Sequence, residues 1–95
     1  MMYKNYKDFK EQLEKDTKAY ILENYPDAEV ICKTLHYLND YLDGIFLRIK
    51  DSGPVLYVEE LYHYYCIIED YDFFLSNLQK SIDISMSMND IHSVV

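Results

Sequence analysis

Tryptophan is absent from the 95-residue chain, and glycine, proline and cysteine occur twice each. So little glycine and proline excludes a collagen-like or low-complexity chain. No apolar run approaches the roughly 18 residues needed to span a bilayer. The start, MMYKNYKDFKEQLEK, has no apolar segment of the kind a secretory signal carries. Two cysteines, Cys32 and Cys66, in a leaderless chain read as free buried thiols rather than a disulfide, and a cytoplasmic location is expected. Basic residues are scarce, 9 against 17 acidic ones, for a net charge of -8. That balance argues against direct binding of nucleic acid, which takes clustered Lys and Arg, and against docking on an anionic membrane.

Half of the chain is apolar, 49%, which is too much for a disordered chain. The length suits a single domain spanning 1–95, burying about two-thirds of its unfolded surface. The surplus is in tyrosine: 11 Tyr against 4 Phe. Charge is unevenly spread. Residues 1–18 hold five of the nine basic groups (Lys4, Lys7, Lys10, Lys15, Lys18) and four acidic ones, so the body beyond them nets -9. Between Lys50 and Lys80 there is no base at all, while Asp51, Glu59, Glu60, Glu69, Asp70 and Asp72 alternate with five tyrosines.

Periodicity predicts an α+β fold in the order α-β-β-β-α-α, a three-stranded antiparallel meander with helices packed on it. Tyr6, Phe9, Leu13, Thr17, Tyr20 and Ile21 make one stripe of a helix over 5–24, and Pro26 ends it. Residues 28–37 read as a strand in which Ile31, Lys33, Leu35 and Tyr37 oppose Val30, Cys32, Thr34 and His36. Neither face is cleanly apolar, so the buried side stays open. Asn39-Asp40 and Asp43-Gly44 both offer turn chemistry before a strand over 44–50, whose Ile45, Leu47 and Ile49 point one way. Asp51-Ser52-Gly53-Pro54 is the strongest turn signal, and Val55–Val58 form the third strand. A helix then starts at Glu59, with both glutamates favoured by the helix dipole. It breaks near Glu69-Asp70. Asp70 is a plausible N-cap for a last helix carrying Tyr71, Phe74, Leu75, Leu78 and Ile82. The core is expected over about 5–82; residues 83–95 show no period and read as a frayed tail or a helix extension.

Catalytic chemistry is poorly provided for. His63 follows Glu60 by three and Glu59 by four on one helix face, half of a di-iron carboxylate motif, but His36 and His92 lie elsewhere and no second half exists. Zinc fares no better with Cys66 and His63 on a helix and Cys32 and His36 on a strand. The carboxylate pairs Asp40/Asp43, Glu59/Glu60 and Asp70/Asp72 are explained by turns and caps. Two glycines build no phosphate loop. The expectation is therefore a non-enzymatic protein with no cofactor and no metal. Tyrosines at core spacing (Tyr6, Tyr20, Tyr62, Tyr65, Tyr71) belong to the core, hydroxyls reaching the surface. Tyr64 lies off the apolar stripe and is expected to be exposed. Exposed tyrosine among carboxylates suits a protein-binding patch, assigned here to Glu59, Glu60, His63, Tyr64, Glu69, Asp70 and Asp72.

Leu42-Asp43-Gly44-Ile45, then Pro54-Val55-Leu56-Tyr57-Val58-Glu59-Glu60-Leu61-Tyr62 and Tyr65, resembles the N-terminal unit of a bacterial domain family of unknown function. Its pattern is L-D-G-φ, then P-x-φ-Y-φ-E-x-φ-Y-x-x-Y, with φ apolar, and the start Tyr6–Glu11 is similar too. The resemblance covers roughly residues 6–82, implies turn, strand and helix positions, and implies no catalytic residue. Members are longer, which makes this chain a truncated relative or a free-standing version of that unit. The leading functional expectation is an acidic protein-interaction module, an inhibitor from a phage or mobile element that binds the basic, nucleic-acid-binding surface of a bacterial defence protein by presenting carboxylates in place of phosphates. The alternatives are a structural fragment or homo-oligomeric domain of a larger bacterial protein, and a small metal protein or enzyme centred on Glu60 and His63.

Overall fold

A computed structural model describes residues 5–94, the side chains of 37 and 89–94 excepted. The order is α1 (Tyr6–Asn24), β1 (Glu29–Tyr37), β2 (Asp40–Arg48), β3 (Val55–Tyr57), α2 (Val58–Ile68) and α3 (Tyr71–Val94). The fold is α+β, and the strands form an antiparallel sheet in the order β1-β2-β3. Asn5 opens α1, its side-chain oxygen accepting from the Asp8 amide at 2.9 Å. This satisfies one of the amides that a helix start leaves unpaired. Two residues before Pro26, Asn24 is the last helical position.

The register resolves the face of β1. Val30 pairs with Leu47, Cys32 with Ile45, and Thr34 with Asp43. Leu47 and Ile45 are fully buried, so the Val30/Cys32 side faces the helices, and Ile31 lies on the open side with Phe46. On that open side Phe46 is flanked by Lys33, whose Nζ sits 4.8 Å from the ring centre, and by Arg48 at 5.9 Å. These cations hold an aromatic ring that the helices do not cover.

Two turn assignments move. Asp43-Gly44 lies inside β2, which begins at Asp40 rather than at residue 44. The β1–β2 turn is Leu38-Asn39, between the pair Tyr37 and Asp40, and Leu38 takes a positive φ of 55°. A long ladder of alternating pairs outweighs one favourable Asp-Gly dipeptide. The second turn sits at Lys50-Asp51, closed by the pairing of Ile49 with Ser52. Gly53 follows because nothing else fits: a Cβ there would lie 1.7 Å from the Leu47 carbonyl oxygen.

The core gathers Phe9, Leu13 and Ile21 of α1, Ile45 and Leu47 of β2, Val58 and Tyr65 of α2, and the inner stripe of α3. Phe9 is its hub. It stacks on Tyr65 at 5.1 Å between centroids and meets Tyr62, Phe74 and Tyr71 within 6.3 Å. α2 packs against β2, α1 and α3, while the main neighbour of α3 is α2 rather than the sheet. The segment from 83 continues α3, and Met86, 1% exposed, extends the stripe of Tyr71, Phe74, Leu78 and Ile82 by one more turn. Thr17 is fully buried in α1, and its hydroxyl has no hydrogen-bond partner among the described residues.

Candidate interaction surface

At 100° per residue, Val58, Leu61, Tyr62, Tyr65 and Ile68 turn one side of α2 inward. The opposite side presents Glu59, Glu60, His63, Tyr64, Cys66 and Ile67, all exposed. Ile67 is 81% and Tyr64 52% exposed, the latter as its place off the stripe requires. Glu69 ends the helix in the left-handed conformation, φ 61°, its amide donating to the Tyr65 carbonyl at 2.8 Å. Asp70 caps α3, accepting from the Phe73 amide at 3.1 Å. Glu69, Asp70 and Asp72 are exposed together at this corner.

The seven anticipated residues therefore divide. Glu59, Glu60 and His63 line a cleft of about 310 Å³ with Leu42, Asp43 and Tyr57, where the first turn of α2 meets the sheet. Tyr64 borders a different groove between α2 and α3. Glu69, Asp70 and Asp72 sit at the far end of α2, roughly 15 Å from Glu59 at 1.5 Å per residue.

Asp43 is the residue that sequence reasoning misplaced. Instead of making a turn, it points to the helical side of β2. It accepts from the Tyr6 hydroxyl at 2.6 Å and the Thr34 hydroxyl at 2.6 Å, with Lys10 Nζ at 3.7 Å. The Thr34 and Tyr6 hydrogen bonds, aided by Lys10, hold its carboxyl below the usual range. Burial and the neighbouring Asp43 carboxylate push the Tyr6 phenol up in turn. Within the cleft, Asp43 is thus an anchor already engaged, and Glu59 and Glu60 are the open carboxylates.

Two further tyrosine–carboxylate locks tie the helices. The Tyr71 hydroxyl donates to Asp16 at 2.6 Å. Asp83 receives Tyr20 at 2.8 Å and Tyr25 at 2.7 Å. Of the five tyrosine hydroxyls expected at the surface, those of Tyr6, Tyr20 and Tyr71 thus end on aspartates of distant segments. No sequence signal announces such pairs, because their members stand 37 to 63 residues apart.

Among the described residues no three His, Cys, Asp or Glu side chains come close enough to share a metal ion, and the side chain of His92 lies outside them. Glu60 and His63 thus gain no third ligand from the described residues. Both cysteines are free, but they are not alike. Cys32 is half-buried against the core, and burial, then the Glu14 carboxylate, push its thiol up. Cys66, anticipated as buried, is exposed on α2. No helix among the described residues is long and apolar enough to cross a membrane. Comparison with known protein families, with characterised proteins and with solved structures finds nothing similar to this chain.

Proposed function

We propose that the chain is a non-enzymatic protein-interaction module that docks on a basic surface of a partner protein through α2 and the α2–α3 corner. The observation that carries this reading is a set of exposed, uncompensated charges. Glu59, Glu60, Glu69, Asp70 and Asp72 are all exposed, and no ion pair among the described residues reaches any of them. Glu59 and Glu60 at one end of α2 and Glu69, Asp70 and Asp72 at the other form two acidic clusters roughly 15 Å apart, about the span of four to five phosphates of a single nucleic-acid strand at 3.4 Å each. A partner whose basic channel normally holds nucleic acid would meet negative charge at both ends of that span. Glu69 adds support, since a left-handed helix end is usually given to glycine and here keeps a carboxylate at some cost in strain.

Capture from a bacterial lysate tests the reading. The immobilised protein should retain a basic partner at low salt and release it near 1 M, where the screening length falls to about 3 Å. The variants Glu59→Lys/Glu60→Lys and Glu69→Lys/Asp72→Lys should each lose the partner. Asp70 is spared because it caps α3. Failure to capture any partner, or undiminished capture by both variants, defeats the proposal.

A further inference from the structure

We infer that the free edge of β1 pairs with β1 of a second copy, antiparallel about a two-fold axis at Ile31, so that two three-stranded sheets become one. β1 is the outer strand of the order β1-β2-β3, and its far side pairs with no strand among the described residues. Leu47 donates its amide to the Pro54 carbonyl at 3.0 Å, on the β3 side, so the odd-numbered residues of β2 turn their backbone toward β3 and the even-numbered ones toward β1. Arg48, Phe46 and Gly44 are therefore the hydrogen-bonded partners of Glu29, Ile31 and Lys33. The residues that alternate with these, Val30, Cys32, Thr34 and His36, aim their amides and carbonyls outward. Such a row is a template for another strand, and proteins usually shorten it, bulge it or break it with proline. β1 runs for nine residues, pairs with β2 without a bulge and contains no proline.

Charge complementarity selects a second copy as the occupant. Outward-aimed groups must meet outward-aimed groups, which puts the axis of a β1–β1 pairing at a residue and not between two. Glu29 is the one carboxylate of β1 and Lys33 its one lysine. With the axis at Ile31, Glu29 of each copy faces Lys33 of the other, at both ends of the junction. An axis at Lys33 sets the two lysines against each other, and axes at Val30 or Cys32 set Glu29 against Ile31 or Leu35. Glu29 has no ion pair among the described residues, and Lys33 leans over its own Phe46 at 4.8 Å, so both are available. A lysine on an edge ordinarily repels another strand; in this register it gains a carboxylate. The apolar residues agree. Val55 pairs with Phe46 and Phe46 with Ile31, so one apolar row on the open side runs through the two facing isoleucines into the second copy. Ile31, 37% exposed in the single copy, is covered there. The contact is isologous and closes, and the other edge, β3, is only three residues long. α2 meets the sheet on β2 and β3, so the acidic cleft beside Glu59 and Glu60 stays clear of the junction.

Sedimentation equilibrium on the full chain tests this. A dimer of about 23 kDa, twice the 11.4 kDa chain, is expected at micromolar concentration. Glu29→Lys and Lys33→Glu should each weaken it about 10-fold or more, because each sets like charges opposite one another at both ends of the junction. The double variant Glu29→Lys/Lys33→Glu should restore it. Circular dichroism of all three should match the parent, since both side chains are exposed. Cross-linking reads the register. Ile31→Cys in a Cys32→Ser/Cys66→Ser background should oxidise in air to a covalent dimer, because facing residues of a non-hydrogen-bonded pair stand about 4.5 Å apart between Cα atoms, within disulfide reach. Lys33→Cys in the same background should not, its counterpart lying four residues along the junction, roughly 13 Å away. A monomer at about 0.5 mM overturns the inference. So do single charge variants that leave the dimer intact, a charge swap no better than its singles, or cross-linking through position 33 and not 31.

Discussion

Replacing Asp43 by alanine removes the acceptor that joins α1 to the sheet at a separation of 37 residues. Three interactions disappear together: the Tyr6 and Thr34 hydrogen bonds, both 2.6 Å, and the Lys10 pair at 3.7 Å. A hydrogen bond to a charged group contributes about 1.5–3 kcal/mol when well buried. Here the Asp43 side chain is 21% exposed and Thr34 lies at the surface, so the lower end applies to Tyr6 and less to Thr34. The Lys10 pair, 32% exposed on the lysine side, adds at most a few tenths. The expected loss is about 2–3 kcal/mol, a drop in melting temperature on the order of 10–20 °C for a domain this size. Urea melts of Asp43→Ala, Tyr6→Phe and the double variant, followed by circular dichroism, measure it. The two single changes should couple by about 1–1.5 kcal/mol. The sign with pH is fixed as well. The folded carboxyl titrates below its unfolded value near 3.9, so its contribution is complete above that pH and is lost as pH falls through the lower, folded value. Asp43→Ala should flatten the acid limb of the stability curve. A loss under 0.5 kcal/mol, additive single changes or an unaltered acid limb would refute the anchoring role.

Other consequences are separable. Burial and the Asp83 carboxylate push Tyr20 up to about 12, so the folded state keeps a proton that the unfolded chain sheds near 10; stability should fall between pH 10 and about 12, and Asp83→Asn should reduce that slope in alkaline urea melts. Gly53→Ala forces a Cβ onto the Leu47 carbonyl and should cost more than about 2 kcal/mol, where an exposed turn glycine would tolerate the change. Met86→Ala should cost about 2–4 kcal/mol by thermal melting; a neutral result would mean that the last turns of α3 do not belong to the core. Thr17→Val removes a buried hydroxyl that has no partner among the described residues and should stabilise by about 1 kcal/mol, an effect that a hydrogen bond to Thr17 would reverse.

The fold was legible wherever a local period repeats. The α1 stripe from Tyr6 to Ile21, the alternation of Ile45, Leu47 and Ile49, and the reset to a helical period after Val58 each bury one face and so leave a trace in sequence. For residues 83–95 the sequence left a frayed tail or a helix extension open, and α3 continues through them to Val94; the burial of Met86 was not legible because it stands among serines and depends on what it meets rather than on a pattern. Cys66 was misread for the opposite reason: its apolar neighbours Tyr65 and Ile68 turn inward, and a residue one or two positions away on a helix does not follow them. The face of β1 became readable only once the register set Val30 and Cys32 opposite Leu47 and Ile45. Most of the exposed acidic set could be named from the change of period at Glu59, since residues off the apolar stripe of an amphipathic helix face outward. Its division into a cleft and a corner could not, because Asp43 and Leu42 reach the cleft from another element.

The tyrosine surplus and the shortage of bases have a common physical reading. Asp16, Asp43 and Asp83 hold the helices to one another and to the sheet, and each accepts from at least one tyrosine hydroxyl, Asp43 sharing its carboxylate between Tyr6, Thr34 and the more distant Lys10. A phenol brings one donor on a stiff ring with two torsions, so less side-chain entropy is lost in forming the bond than with a flexible lysine. The ring also packs: Tyr71 meets Phe9 edge-on while its hydroxyl reaches Asp16. The carboxylate stays charged, which a neutral donor permits without cancelling it. A chain built this way can knit its layers with acids and still carry a net charge of -8. Had lysines made the same three joints, the charge would be neutralised joint by joint, and the acids of α2 would face a molecule with bases to spare. Lysine at position 25 or 71 in place of tyrosine tests the point. Each variant should keep its carboxylate partner, yet lose stability through the missing ring, by about 2–4 kcal/mol at the buried Tyr71 and less at the half-buried Tyr25. If lysine matched tyrosine at position 71, the hydrogen bond alone would be the essential part and the aromatic packing incidental.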